Sequence, residues 1–184
     1  MELAKKFNAV FSQDEILLIK RYLEPTVDQC DDTFVRQHSN MPNVPTFLKK
    51  KLSKVVKDSN SQFNLDIFEP VLFESFTYAV YQKRHNSALH NDVSTAHLFS
   101  NPTRKLTVAI GLNDADSYQG GDFVFHYTDG IDQLNLSAIL PKESYRLSLG
   151  DVLVFPSIMY HEITDIVEGV RESLVTLVLG PAYR

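Results

Sequence analysis

The second half of the chain consists of short apolar runs separated by glycine, proline, asparagine and aspartate. From residue 71 onward these runs are rich in valine, isoleucine, leucine, phenylalanine and threonine. In residues 105–112 ("KLTVAIGL"), Leu106, Val108 and Ile110 alternate with smaller or polar side chains, which is the period of a half-buried strand. Repeated runs of this kind with turn residues between them are typical of an all-β sandwich or barrel. We therefore predict clear strands at residues 105–112, 121–127, 151–156 and 172–179.

Residues 1–70 have the apolar spacing of helices instead. In the stretch "FSQDEILLIKRYLEP", Ser12 is followed three residues later by Glu15, a capping-box pattern that predicts a helix over about residues 13–23. The stretch "PTFLKKKLSKVVKDSN" combines a proline suited to a first helical turn with an apolar stripe, and we expect its lysines to face solvent. Helices precede strands, so the predicted fold is mainly β with flanking α, a helical flank packed on a β-barrel or jelly roll.

Length and composition predict a single domain over residues 1–184, with 1–70 as mainly helical support and 71–184 as a jelly-roll core. The 184 residues are 43% hydrophobic, which suits one well-buried core.

A formal net charge of -5 disfavours a general nucleic-acid partner. Cys30 has no second cysteine to pair with, the first residues lack the apolar run of a secretory signal, and no run is long enough to span a membrane. We therefore expect a cytoplasmic protein without membrane contact.

The stretch "SALHNDVSTAH" contains two candidate metal ligands. His90 and Asp92 are two residues apart and would share one face of an extended strand. His161, which follows an apolar run, is the candidate third ligand. Two histidines and one carboxylate suit non-haem Fe(II) with open positions for oxygen chemistry, and zinc accepts the same set. The zinc-peptidase helix motif is absent, since the residue four after His161 is Asp165. On its own the His-x-Asp pattern is weak evidence for a metal site and favours an ordinary surface ion pair.

A cation downstream of the third candidate ligand favours the metal interpretation. Arg171 stands ten residues after His161, and we predict a hairpin between them, joined near Glu168 and Gly169, that sets Arg171 beside the ligand strand. Arg171 and Ser173 share one face of a strand that is otherwise apolar. A buried arginine requires an anionic partner, and a dicarboxylate reaching from the guanidinium to the metal would satisfy both.

Three segments, taken in order, resemble the Fe(II)- and 2-oxoglutarate-dependent dioxygenases. They are "YAVYQKRHNSALHND", "RKLTVAIGLNDADSYQGGDFVF" and "LGDVLVFPSIMYHEITDIVEGVRESL". The similarity is to the prolyl 4-hydroxylase-like group and the bacterial PKHD-type hydroxylases within it, and it covers about residues 76–181. It implies a double-stranded β-helix, the cupin-like jelly roll, with N-terminal helices packed on one sheet.

The resemblance also implies roles for individual residues. The implied iron ligands are His90, Asp92 and His161. Arg171 would be the fourth catalytic residue and bind the distal carboxylate of 2-oxoglutarate. Tyr81 matches a tyrosine that lines the co-substrate pocket, and Ser173 completes an Arg-x-Ser pattern. Ser87 and Gly111 depart from the family pattern, because bulkier residues are common at both positions.

The implied reaction hydroxylates an unactivated C–H bond. Fe(II) is the metal, 2-oxoglutarate and O2 are co-substrates, succinate and CO2 are released, and ascorbate is a candidate reductant. The predicted substrate is a prolyl residue of a peptide or protein, and the predicted state is a monomer or homodimer. Open alternatives are a hydroxylase of a free amino acid or other small molecule, a metal-binding jelly-roll module without oxygenase activity, and a zinc hydrolase.

Several other polar residues lie near the motifs. Residues 93–104 are the predicted substrate loop because they are polar and directly follow Asp92. We expect solvated side chains at three of the four histidines outside the ligand set: His85, His97 and His126. The acidic turn "NDADSYQGGD" is expected to be a solvated loop rather than a second cation site.

Overall fold

The computed structural model describes residues 3–93, 100–127 and 140–183. Within these ranges the chain forms two α-helices, fourteen strands and a short 3-10 helix at Ala115–Ser117. The first five elements are β1 (Lys5–Phe7), α1 (Gln13–Lys20), β2 (Val27–Cys30), β3 (Phe34–Asn40) and α2 (Thr46–Phe63). The strands that follow are β4 (Leu72–Phe73), β5 (Thr77–Tyr81), β6 (Asn86–His90), β7 (Thr103–Gly111), β8 (Tyr118–Gly120), β9 (Phe123–Tyr127), β10 (Leu140–Tyr145), β11 (Val152–Pro156), β12 (Tyr160–Ile163), β13 (Ile166–Gly169) and β14 (Arg171–Gly180).

A single antiparallel sheet wraps into a nearly closed barrel. Its strand order is β1-β11-β7-β14-β5-β3-β6-β12-β9-β10, with β2 paired to β3 and β4 paired to β14. Strand β3 joins the two halves because Phe34 and Val35 pair with β6, whereas Gln37–Asn40 pair with β5. A separate pair is formed by β8 and β13. This architecture confirms the predicted jelly roll.

Both predicted helices are present and pack on one side of the barrel. Ser12 and Glu15 form the predicted capping box, and α1 ends at Lys20, three residues earlier than expected. Helix α2 ends where Asn64 adopts a left-handed conformation with φ of 52°. Buried side chains of both helices, including Ile19 and Leu52, join one apolar cluster with β7 and β14. In the described part of the chain, no helix is long and apolar enough to cross a membrane.

Strand β7 is buried on both of its faces, so the prediction of a half-buried strand is wrong. Leu106 and Val108 face the helices, as expected from the apolar alternation. The alternate residues Lys105, Thr107 and Ala109 are also buried, since they face the interior of the barrel. In β7 the large apolar side chains therefore face the helices, and the small or polar ones face the barrel interior. Neither face is exposed to solvent.

The first seventy residues contribute strands that sequence patterning does not identify. Strand β1 pairs with β11, and β2 and β3 form a hairpin that reaches the barrel. The stretch "FVRQHSN" of β3 is largely polar, so it lacks the apolar alternation by which strands are recognised. The division of one domain at residue 70 stays a prediction.

Candidate metal centre

Strand pairing brings the three predicted ligands together. Strand β6 pairs with β12 in a register that sets His161 opposite His90, and Asp92 follows β6 by two residues. One ligand atom from each of the three residues lies within 4.8 Å of the others. The Nε2 atom of His90 is 3.6 Å from Asp92 Oδ1, and that of His161 is 3.8 Å from Asp92 Oδ2. No other cluster of three potential ligands occurs in residues 3–93, 100–127 and 140–183.

Backbone carbonyl groups set the tautomers of both histidines. The Nδ1 atom of His90 lies 2.7 Å from the carbonyl oxygen of Ala88, and that of His161 lies 3.0 Å from the carbonyl oxygen of Met159. A carbonyl oxygen only accepts hydrogen bonds, so Nδ1 carries the proton in each ring. The Nε2 lone pairs are consequently directed into the cluster, which is the arrangement that metal-binding histidines use.

The charges of the cluster also suit a divalent cation. Burial acts to raise the pKa of Asp92, but hydrogen bonding with His90, the charge of His161 and a hydrogen bond from Thr107 outweigh it and lower this pKa to about 2. Burial lowers the pKa of His161, which favours its neutral form. At neutral pH the cluster therefore offers an ionised carboxylate and a neutral His161 imidazole, as metal coordination requires.

Residues outside the predicted set hold Asp92 in place. The Thr107 hydroxyl donates to Asp92 Oδ2 at 2.6 Å and lies 3.0 Å from the Ser157 hydroxyl oxygen. Arg104 Nη1 donates to the backbone carbonyl of Asp92 at 2.9 Å, and the Asp92 amide donates to the carbonyl of Ser157 at 2.9 Å. None of these three residues was predicted to contact Asp92. Thr107, a polar residue at the centre of an apolar strand, was the signal that could have indicated one of them.

Arg171 is buried at the start of β14, with 2% of its surface exposed. Its guanidinium carbon lies 5.2 Å from the centre of the Tyr81 ring and 4.9 Å from that of Phe123. Arg171 Nη1 donates to the Ser173 hydroxyl at 3.1 Å, whereas no described residue accepts a hydrogen bond from Nη2. Burial lowers the pKa of this guanidinium. In the described residues this buried cation therefore has a free donor and no carboxylate partner, a combination that suits the binding of an anion.

Phe123 connects the arginine to the metal cluster. Its ring packs on Arg171 and also lies 6.3 Å, centre to centre, from the ring of His161. Tyr81, the last residue of β5, pairs across the sheet with Arg171. The predicted co-substrate residues therefore line the same interior as the ligands: Tyr81, Arg171 and Ser173.

Arg171 reaches this interior by a route that differs from the predicted one. The hairpin expected between His161 and Arg171 is wrong, because β12 pairs with β6 and β9, whereas β14 pairs with β5 and β7. Between them, β13 pairs with β8. The chain thus crosses from one half of the barrel to the other between the ligand and the arginine.

The two departures from the family pattern have local explanations. Ser87 is buried, and its hydroxyl oxygen lies 3.4 Å from His90 Nδ1. A side chain at Gly111 would collide with the backbone carbonyl oxygen of Ser148, so the barrel has no space for a bulkier residue there.

The remaining predicted residues have mixed outcomes. The expectation of a solvated His126 is wrong, because its ring is buried and Nε2 lies 3.0 Å from Glu162 Oε1. His85 is half-buried. His97 lies outside the described residues, together with the rest of residues 94–99, which make up half of the predicted substrate loop. In the acidic turn, Asp122 forms an ion pair with Arg146, whose Nε atom is 2.7 Å from Asp122 Oδ1.

Comparisons with known proteins agree with the predicted resemblance. No family model matches the chain. A PKHD-type hydroxylase of Xylella fastidiosa strain M12 is 26% identical over 98 residues, which are 50% of this chain and 38% of that protein. The chain thus spans well under half the length of this curated relative.

Solved structures share the fold over nearly the whole chain. The viral collagen prolyl hydroxylase of Paramecium bursaria Chlorella virus-1 superposes with a TM-score of 0.67 and 14% identity over 97% of both chains. A 2OG-Fe(II) oxygenase family protein of Burkholderia pseudomallei superposes with a TM-score of 0.71 and 16% identity, over 99% of this chain and 89% of that one. The similarity to the 2-oxoglutarate oxygenases predicted from the motifs is confirmed.

Proposed function

We propose that this chain is an Fe(II)- and 2-oxoglutarate-dependent dioxygenase that hydroxylates an unactivated C–H bond. One observation carries the proposal. The barrel interior holds both a cluster of three candidate metal ligands and the buried Arg171, whose Nη2 has no hydrogen-bond acceptor in the described residues. The shared fold of the solved 2-oxoglutarate oxygenases supports it.

Each residue of the site has a defined task in this proposal. His90 and His161 present Nε2, and Asp92 presents a carboxylate oxygen, so these three would hold Fe(II) and leave other coordination positions open. With 2-oxoglutarate and O2 a bound iron would supply the oxidising chemistry, with succinate and CO2 as the products of the co-substrate. Arg171 binds the distal carboxylate of 2-oxoglutarate, and Ser173 accepts a hydrogen bond from Arg171 Nη1, which holds the guanidinium in place. The rings of Tyr81 and Phe123, which pack on the guanidinium, exclude water.

The arginine separates this proposal from the alternatives. A zinc hydrolase and a metal-binding jelly-roll module have no use for a buried cation that lacks a carboxylate partner in the described residues. Leaving such a donor unsatisfied is costly unless a ligand completes it.

A prolyl residue of a peptide or protein is the proposed substrate. The similarity to a collagen prolyl hydroxylase supports a polypeptide, and the net charge of -5 disfavours nucleic acid. A free amino acid is the second candidate. The cytoplasmic location, the monomeric or homodimeric state and ascorbate as reductant stay predictions.

The first test is an anaerobic titration of the metal-free protein with Fe(II) and then 2-oxoglutarate, followed by visible absorption. We expect a charge-transfer band that requires both additions and disappears in His161→Ala. Succinate formation with proline-containing peptides and with free proline would then identify the substrate. A folded protein that binds zinc but shows no band with Fe(II) and 2-oxoglutarate would overturn the proposal.

A further inference from the structure

Arg36 occupies the point where β3 passes from one half of the barrel to the other. The residues before it pair with β6, and those after it pair with β5, while Arg36 itself pairs with Gln29 of β2. Its guanidinium carbon lies 4.0 Å from the centre of the Phe34 ring, and that ring packs edge-on against His90 with centres 5.1 Å apart. Arg36 is thus held beside the metal cluster, although no motif marks it.

The partners of Arg36 are neutral. Its Nε atom donates to Gln29 Oε1 at 3.1 Å, and Nη1 donates to the hydroxyl oxygen of Tyr81 at 3.1 Å. No carboxylate lies within ion-pair distance of Arg36 in the described ranges of the chain. Of the two partners, Tyr81 is the one that lines the interior of the site, so this hydrogen bond connects Arg36 to it.

This contact determines what the Tyr81 hydroxyl can do. A guanidinium has no acceptor, so the proton in the contact comes from Arg36 and the phenol accepts it. The Tyr81 proton must point elsewhere, and among the described residues nothing accepts it. Tyr81 is 1% exposed, so this donor is buried.

Two unused donors consequently lie on neighbouring residues. Tyr81 pairs across the sheet with Arg171, and Arg171 Nη2 is also buried without an acceptor in the described structure. Two buried donors with no acceptor each cost free energy, whereas a single carboxylate has enough lone pairs to satisfy both.

We propose that Arg36 is a positioning residue, which acts through Tyr81 by turning the phenol proton toward the anion that Arg171 binds. The inference rests on the proposed function, in which this anion is the distal carboxylate of 2-oxoglutarate. Arg36 itself does not touch the co-substrate in this arrangement. It couples the β2–β3 hairpin to co-substrate affinity through one hydrogen bond.

A double-mutant cycle tests this coupling. The variants are Arg36→Met, Tyr81→Phe and the double variant, and the measurement is the affinity of the Fe(II)-loaded protein for 2-oxoglutarate under anaerobic conditions. Methionine keeps an aliphatic stem against Phe34 but removes both hydrogen bonds. We expect each single variant to weaken 2-oxoglutarate binding about three- to tenfold, and the double variant to be no weaker than Tyr81→Phe alone.

The controls separate positioning from folding. Arg36→Lys keeps a cationic donor and should recover part of the affinity. Arg21→Met, which replaces the exposed arginine that caps the C-terminus of α1, should leave the affinity unchanged. The Fe(II) affinity without 2-oxoglutarate and the thermal unfolding midpoint should be unchanged in Arg36→Met.

The possible outcomes decide between the two proposals. If Arg36→Met loses as much affinity in the Tyr81→Phe background as in the wild type, Arg36 acts independently of Tyr81 and the inference is overturned. Unchanged affinity in Arg36→Met, with normal wild-type binding, also overturns it and leaves the proposed function standing. A wild-type protein that binds Fe(II) but not 2-oxoglutarate overturns both.

Discussion

The two ends of the site differ in how completely the protein satisfies its own polar groups. At the metal end, both Nδ1 atoms, the Asp92 carboxylate and its backbone have partners within the chain. At the arginine end, Arg171 Nη2 has no acceptor in the described residues. The candidate metal ligands are therefore preorganised by the fold, whereas the arginine end has a buried donor that the proposed 2-oxoglutarate would satisfy.

The largest effect should come from removing a ligand at the satisfied end. His161→Ala leaves two ligands and opens a cavity among the surrounding phenylalanines, so we expect Fe(II) binding to fall at least about 100-fold. Equilibrium metal titration measures this. His38→Ala, which removes a half-buried histidine outside the cluster, should bind Fe(II) normally. Equal losses in both variants would show that the effect comes from general destabilisation.

At the unsatisfied end, Arg171→Met should separate ligand binding from stability. We expect 2-oxoglutarate affinity to fall on the order of 100-fold, because charge-assisted hydrogen bonds to a carboxylate are lost. Without ligand, the variant should be more stable than the wild type by about 1 kcal/mol, since a buried cation with an unused donor is replaced by an apolar side chain. Chemical denaturation of the ligand-free proteins measures this difference. Destabilisation by several kcal/mol would mean that Arg171 is a structural residue, and the arginine end would then not differ from the metal end in the way described above.

Thr107→Val tests whether the satisfied end depends on residues outside the ligand set. The variant removes the hydrogen bond to Asp92 Oδ2 with little change in shape, so Fe(II) affinity should fall about tenfold. Binding of 2-oxoglutarate at saturating Fe(II) should be unchanged. Thr176→Val is a matched control, because Thr176 is a buried threonine on β14 that contacts the carbonyl of Glu74. A similar loss in both variants would contradict a specific role for Thr107.

The smallest expected effect is the pH dependence of metal binding. Burial lowers the pKa of His161, and Asp92 has a pKa of about 2, so both stay in their binding forms when the pH falls slightly below neutral. Fe(II) affinity should therefore change little until the pH falls below the ordinary histidine pKa of about 6.5. Metal titrations from pH 8 to pH 5 measure this dependence. A steep loss already between pH 8 and 7 would contradict the lowered pKa of His161.

How much of the site is predictable differs between its residues. His90 and Asp92 are found from their spacing, because side chains two apart on a strand share a face, but only together with His161 and Arg171 does this spacing favour a metal site. Thr107 and Arg36 are not found, because their roles depend on contacts between strands that are distant in sequence. The predicted hairpin before Arg171 failed for the same reason: residues 162–170 have the local pattern of paired strands, but β12 pairs with β6 and β9, and β13 pairs with β8 in a separate sheet.

The amino-acid sequence by itself determined the chemistry that is available: the ligand types, the helix cap at Ser12, the alternation of each strand and the ten-residue spacing from His161 to Arg171. Only the tertiary structure decided which strands pair, and hence that His161 faces His90 and that Arg171 faces Tyr81. The physical reason is that side-chain period specifies the face on which a residue lies, while the partner strand is selected by packing of the whole barrel. Burial of both faces of β7 followed from that packing, which placed Thr107 against Asp92.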